Sequence, residues 1–281
     1  MYRGGLPGAI RIGNETKLHI AIDDTYGPVG ATDSVYVTGA RRTHVAVVFA
    51  DDEVGHVREE VKKCLGAFDE WLPSNPLEFH FVDIYNRKHP WSQLPGLANL
   101  AVFEFFAKIY TQYRWKVFLQ TVDDRMLADH PKLNTLPNVD GLDSSNRSDL
   151  SLLWLCIKIR IAYKAEKPPL RLLVDQGSGS PGTGFGGQIF GDWGDRFSGQ
   201  YSASSEEPLI QIADFLAFII NRSTHLATKK ERTETDLWFL DLVGGMNINC
   251  DDLATHSLQE DFSVSEFDNL HRADRVKKGL G

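Results

Sequence analysis

A chain of 281 residues, 42% hydrophobic and 24% charged, can bury a sizeable core, and this composition argues against disorder along its whole length. Thirty Lys and Arg stand against 38 Asp and Glu, a formal charge of −8, so the molecule as a whole does not steer toward a polyanion and any nucleic-acid contact has to be local. The three cysteines, Cys64, Cys156 and Cys250, are odd in number and lack a CxxC, which argues against a disulfide framework or a thiolate zinc site and fits a reducing cytoplasm.

The N-terminal stretch MYRGGLPGAIRIGNETK has no continuous apolar core of the signal-peptide kind, so residues 1–16 read as a leader without an export signal. The run KLHIAIDDTYG (17–27) reads as a central strand ending in acids and a turn, and THVAVVFA (43–50) as its neighbour. Residues 51–72 open with acids and carry Val54, Val57, Val61, Leu65 and Phe68 at helical spacing. Pro73 and Pro76 stop that helix, and LEFHFVDIY (77–85) alternates as a strand does. A helix is expected over 97–113, a strand over 115–122, a long helix over 149–167 and a strand over 169–177. Between them, the polar residues 123–148 are long enough for a lid or insertion. The pattern predicts one α/β domain over 17–228, a mixed central sheet flanked by helices. Residues 229–281 follow as a charged extension whose end, HRADRVKKGLG, reads as frayed. Trp71, Trp91, Trp154 and the Phe-rich stretch 103–106 are expected in the core.

The segment 206–224, EEPLIQIADFLAFIINRST, sets a carboxylate amid an apolar helix too short to span a bilayer, so no membrane partner is expected. Helical spacing gathers Glu207, Gln211, Asp214 and Asn221 on one polar stripe. A buried carboxylate takes up a proton or finds a cation, either a metal or a side chain such as Arg222. Acids also close the apolar strands: Asp23 and Asp24 after HIAI, Asp123 and Asp124 after FLQTV, and Asp175 after RLLV. Each alone suits a solvated strand end. Together, Asp23, Glu78, Asp175 and Asp214 would repel one another unless a divalent cation neutralised them, and hard oxygen donors suit Mg2+ or Mn2+. The sequence GSGSPG (177–182) satisfies G-x-G-x-x-G, but TGFGGQIFGDWG follows it without helical periodicity. It therefore reads as a loop and not as a dinucleotide cradle.

The motifs AIDDTYG, EFH (78–80), LLVDQG (172–177) and PLIQIADFLAFIINR (208–222) occur in an order that resembles the bacterial family called domain of unknown function 3800. The likeness spans roughly residues 17–225. It implies a ribonuclease H-like fold and an acidic centre holding one or two Mg2+ or Mn2+ ions. Asp23 would be the central ligand, Asp175 and Asp214 its flanks and Glu78 a further ligand, with His80 orienting water or moving protons. Four positions depart from the family pattern: Asp24 stands for a Glu and is one methylene shorter, so its reach to a metal is curtailed, Thr25 stands for the Ser and Tyr26 for the Gly, with a glycine only at Gly27, and Gln176 stands where an acid is common. By fold analogy the activity expected is metal-dependent hydrolysis of RNA or DNA. The alternative is an inactive binding module of a defence or mobile-element system. Lys158, Lys164, Lys167, Lys229, Lys230 and Arg232 are the candidate phosphate contacts, and the oligomeric state stays open.

Overall fold

The computed structural model describes residues 16–26, 32–37, 41–72, 76–253, 255–259 and 261–280. Five strands form one sheet: β1 (Leu18–Tyr26), β2 (Arg42–Ala50), β3 (Lys116–Val122), β4 (Leu170–Asp175) and β5 (Phe197–Ser202). Its order is β3-β2-β1-β4-β5. β2 runs antiparallel to β1 and to β3, whereas β4 runs parallel to β1 and to β5. The helices are α1 (Asp51–Gly66), α2 (Phe81–Tyr85), α3 (Leu100–Tyr113), α4 (Asp124–Asp129), α5 (Arg147–Tyr163), α6 (Pro208–Ala227), α7 (Glu234–Gly245) and α8 (Val264–Lys277). This mixed sheet with helices on both faces is consistent with a ribonuclease H-like α/β fold.

Strand alternation divides the core in two. Ala21, Val45, Val47, Phe49, Val117 and Leu173 lie in one cluster with the apolar faces of α1, α3 and α6. Leu18, Ile20, Ile22, Ala46, Leu172 and Val174 lie in the other, under α5 and the Phe185–Trp193 segment. Because strands buried on both sides need apolar residues at every position, β1 and β2 read as continuous greasy runs. That made them legible.

The expected strand over 77–85 does not form. Residues 77–78 bend and α2 follows. The backbone N–H groups a strand partner would take are used by α6: Phe79 N–H donates to Gln211 Oε1 (3.1 Å) and Phe81 N–H to Asp214 Oδ2 (3.3 Å). Phe79 and Phe81 are fully buried against Phe106, so an aromatic cluster and not a sheet face explains the apolar spacing.

β5, FSGQYS, carries little apolar signal and was not expected from sequence. On its outer side Phe185 N–H donates to Gly199 O (2.9 Å), an approach that requires glycine, because a Cβ there would stand 2.3 Å from the Phe185 carbonyl oxygen.

Residues from 229 onward complete the core. Phe239, Leu240, Val243, Met246 and Leu258 share the buried cluster of Phe103 and Phe215. The C-terminal stretch is helical to Lys277, not frayed: Ser263 and Glu266 form a capping box, and Arg275 pairs with Asp129 (3.0 Å) and donates to Leu280 O (2.6 Å). The polar stretch 123–148 is likewise tied down. Asp123 caps α4 through Met126 N–H (2.8 Å) and Asp124 pairs with Arg147. Trp91 is buried and Trp154 partly so, but Trp71, expected in the core, is 59% exposed because the chain turns out of α1 before reaching it. Among the described residues no helix is long and apolar enough to cross a membrane. The leader 1–15 and the tip of the first turn, 27–31, lie outside the described residues.

Glu207 fixes where α6 begins. It accepts from Leu209 N–H (3.3 Å), and its carboxylate takes Arg58 of α1 in a fork, Nε donating at 2.9 Å. Glu207→Ala removes a cap and strands a partly exposed arginine, so it should lower stability by about 2 kcal/mol in urea denaturation, while Glu207→Gln should lose less.

Candidate functional site

β1 and β4 run parallel with Ile22 opposite Val174, which brings the next residues, Asp23 and Asp175, to the same C-terminal edge of the sheet. In open α/β sheets ligands collect at that edge. Alternation sets both acids on the face of Ala21 and Leu173, the face α6 covers. Asp214 lies near the middle of α6, which packs on β1, β2 and β4. Glu78 arrives from the bend before α2, where the Ser204 hydroxyl donates to its Oε2. Gln211 holds that bend down, since its amide also donates to Ser204 O (2.8 Å).

The mutual fields of these acids show in their proton affinities. Burial, then the charges of Asp214, Asp175 and Asp24, push Asp23 well above the ordinary carboxylate value, against the relief of Asp24 N–H donating at 2.7 Å. Asp175 rises to about 6 for the same first reason. The N–H groups of Gly177 (3.2 Å) and Gln176 oppose that rise, and the charges of Asp214 and Glu78 add to it. Its other oxygen, Oδ1, is shut from solvent and has no hydrogen-bond partner.

Asp214 accepts from Phe81 N–H and lies 3.4 Å from His80 Nδ1. That contact raises the His80 pKa above its ordinary value despite partial burial, and the charges of Asp214, Asp83 and Glu78 add to it. His80 is the exposed residue immediately before α2 and does not lie on a strand as expected. Arg222, the alternative partner for Asp214, is committed elsewhere: it donates to Tyr85 Oη (2.9 Å) and pairs with Asp236 (3.6 Å).

Asp24 has different neighbours. Alternation turns it to the face of Ile22 and His44, where burial raises its pKa; Arg42 and the Ser148 hydroxyl, at the start of α5, oppose the rise, and Asp214 adds to it. The GSGSPG loop starts no α-helix. After the short 3-10 turn at 176–178, residues 182–185 hydrogen-bond along β5, and Gly179 lies against the Tyr201 ring. Most of the candidate phosphate contacts are occupied. Lys158 donates to Leu119 O (2.9 Å) and Asp252 (3.0 Å), Lys167 pairs with Asp192 (2.8 Å), Lys229 with Asp236, and Arg232 donates to the carbonyls of Leu226, Ala227 and Phe262. Lys164 and Lys230 are exposed.

Ser204 and the Phe81 N–H are parts of the site that sequence did not signal. Gln211 was visible as a member of the α6 stripe. The donor set is all carboxylate oxygens, with Asp23 and Asp175 raised by burial and then by neighbouring charge and one oxygen of Asp175 shut from solvent without a partner, and it suits a hard divalent cation. Among the described residues no three His, Cys, Asp or Glu side chains are gathered closely enough to form a ready-made ligand group. No protein-family model matches the chain, and no curated protein matches it.

An acid whose folded pKa is raised favours folding at low pH and loses that contribution as pH climbs through the folded value. For Asp175 the window runs from the ordinary 3.8 to about 6. Asp175→Asn lacks this titration, so its melting temperature relative to wild type should rise between about pH 4 and about pH 7 in EDTA. A difference that does not change with pH would contradict the electrostatic picture.

Proposed function

We propose that this chain is a divalent-metal-dependent phosphodiesterase that hydrolyses nucleic acid. Asp23, Asp175 and Asp214 would hold one or two Mg2+ or Mn2+ ions, with Glu78 as a further ligand. The observation that carries this reading is the partly buried juxtaposition of Asp23 and Asp175 on the face beneath Asp214, where desolvation and then the neighbouring acids raise the proton affinity of both. A fold spends stability on such repulsion where a cation is to be bound. The resemblance carried by AIDDTYG, EFH, LLVDQG and the α6 motif points the same way.

When bound, the ion would lower the pKa of a coordinated water and neutralise charge on the phosphate. The remaining work falls to the chain. The Phe81 N–H fixes one oxygen of Asp214, Gln211 and Ser204 set the position of Glu78, and the N–H groups after Asp175 hold that carboxylate at the strand end. His80 is exposed, beside Asp214, and carries a raised pKa, so near neutral pH it can hold a proton for the leaving oxygen. Asp24, turned toward Ser148, would act on the site through its charge and not as a close ligand.

A second reading, a binding module without turnover, draws on the lack of a ready-made ligand group among the described residues. The two are separated by incubating single-stranded and duplex RNA and DNA with Mn2+. Asp23→Asn and Asp214→Asn should each remove most cleavage while circular dichroism shows an intact fold. Cleavage persisting in both variants sinks the assignment, and binding without cleavage in wild type favours the second reading.

His80 supplies a separate check. Activity should fall as pH rises through its raised pKa, and His80→Gln should lower kcat about 100-fold and erase that alkaline limb.

A further inference from the structure

Beside the acids lies an open pocket of about 570 Å³, lined by Asp24, Tyr26, His80, Tyr85, Asp214 and Asn221. Small-molecule sites run roughly 300–1,000 Å³, so this space suits one nucleotide. Tyr26 closes β1 three residues beyond Asp23 and lines the same cavity, yet it is 67% exposed. Arg42, its register partner on β2, lies 4.3 Å over the ring and holds it in place, leaving the rest of the ring open. Asn221 links this strand end to α6, its amide donating to Thr25 Oγ1 (3.3 Å).

Charge on the cavity wall is largely spoken for. Lys88 pairs with Asp83 (2.8 Å), and Arg222 with Asp236 and Tyr85. Recognition therefore falls on the open ring more than on free cations. Every unpaired base offers a π-face to such a ring, whereas a base inside a duplex has both faces covered by its neighbours.

Building on the proposed phosphodiesterase, we infer that this cavity receives one unpaired nucleotide of a single-stranded substrate, its base stacked on Tyr26 beside the acids that face the scissile phosphate. Tyr26 is a substrate-binding residue here and takes no part in proton transfer or metal holding.

The test is fluorescence anisotropy with a labelled oligonucleotide, single-stranded and as the same sequence in a duplex. It is run with wild-type protein in EDTA and with Asp23→Asn in Mn2+, so that hydrolysis is off. Tyr26→Ala should weaken single-strand binding about 5- to 150-fold, the range for removing one stacked base, while Tyr26→Trp retains it. The Mn2+-dependent rise in melting temperature should be the same in Tyr26→Ala as in wild type. Unchanged binding in Tyr26→Ala overturns the inference, as does duplex bound as tightly as single strand, no binding of either, or a nucleoside monophosphate bound as tightly as the oligonucleotide. Because binding is read without turnover, a wild type that binds through Tyr26 yet never cleaves removes the phosphodiesterase and leaves this site standing. Cleavage that ignores Tyr26 does the reverse.

Discussion

A polar stripe on an otherwise greasy helix is the constraint on which the rest of this molecule depends. Along α6, Glu207 takes Arg58 of α1, and Gln211 takes the Phe79 N–H and the Ser204 carbonyl. One turn on, Asp214 takes the Phe81 N–H and meets His80, and Asn221 reaches Thr25 at the end of β1 and Arg41 ahead of β2. Each polar group removed from water has to be answered, and the answer in each case is a backbone or side chain from a different segment. One helix thus orients five parts of the chain around the edge of the sheet.

Burial on this face also decides which acids matter. Asp123 and Asp124 end a strand as Asp23 and Asp175 do, but the first caps α4 and the second pairs with Arg147. They are satisfied by local partners. Asp23 and Asp175 lie under α6 beside Asp214, where desolvation and like charge reinforce each other. The same helix that makes this arrangement unfavourable also prevents its relaxation, because its apolar face is locked into the core with Phe103, Phe106 and Phe239.

Asp24 shows how much a single position along a strand changes. It adjoins Asp23 in sequence and would be grouped with it by any motif, yet the two-residue period of the strand carries it to the face of α5. The family-like pattern and the physical neighbourhood therefore part company at this residue.

Strongly patterned elements were legible from residues alone. β1, β2 and β4 are buried on both faces and have to be apolar throughout, α6 carries a stripe of fixed spacing, and acids at apolar strand ends mark an edge where loops part. The sequence by itself therefore determined an α/β core and named Asp23, Asp175 and Asp214 as candidates. Tertiary structure alone decided that residues 77–85 bend and coil, because side chains of α6 claim the N–H groups a neighbouring strand would have used. It alone decided that FSGQYS becomes an edge strand, paired with β4, and that the charged C-terminal stretch closes the core through partners more than a hundred residues away; neither outcome leaves a local period to read.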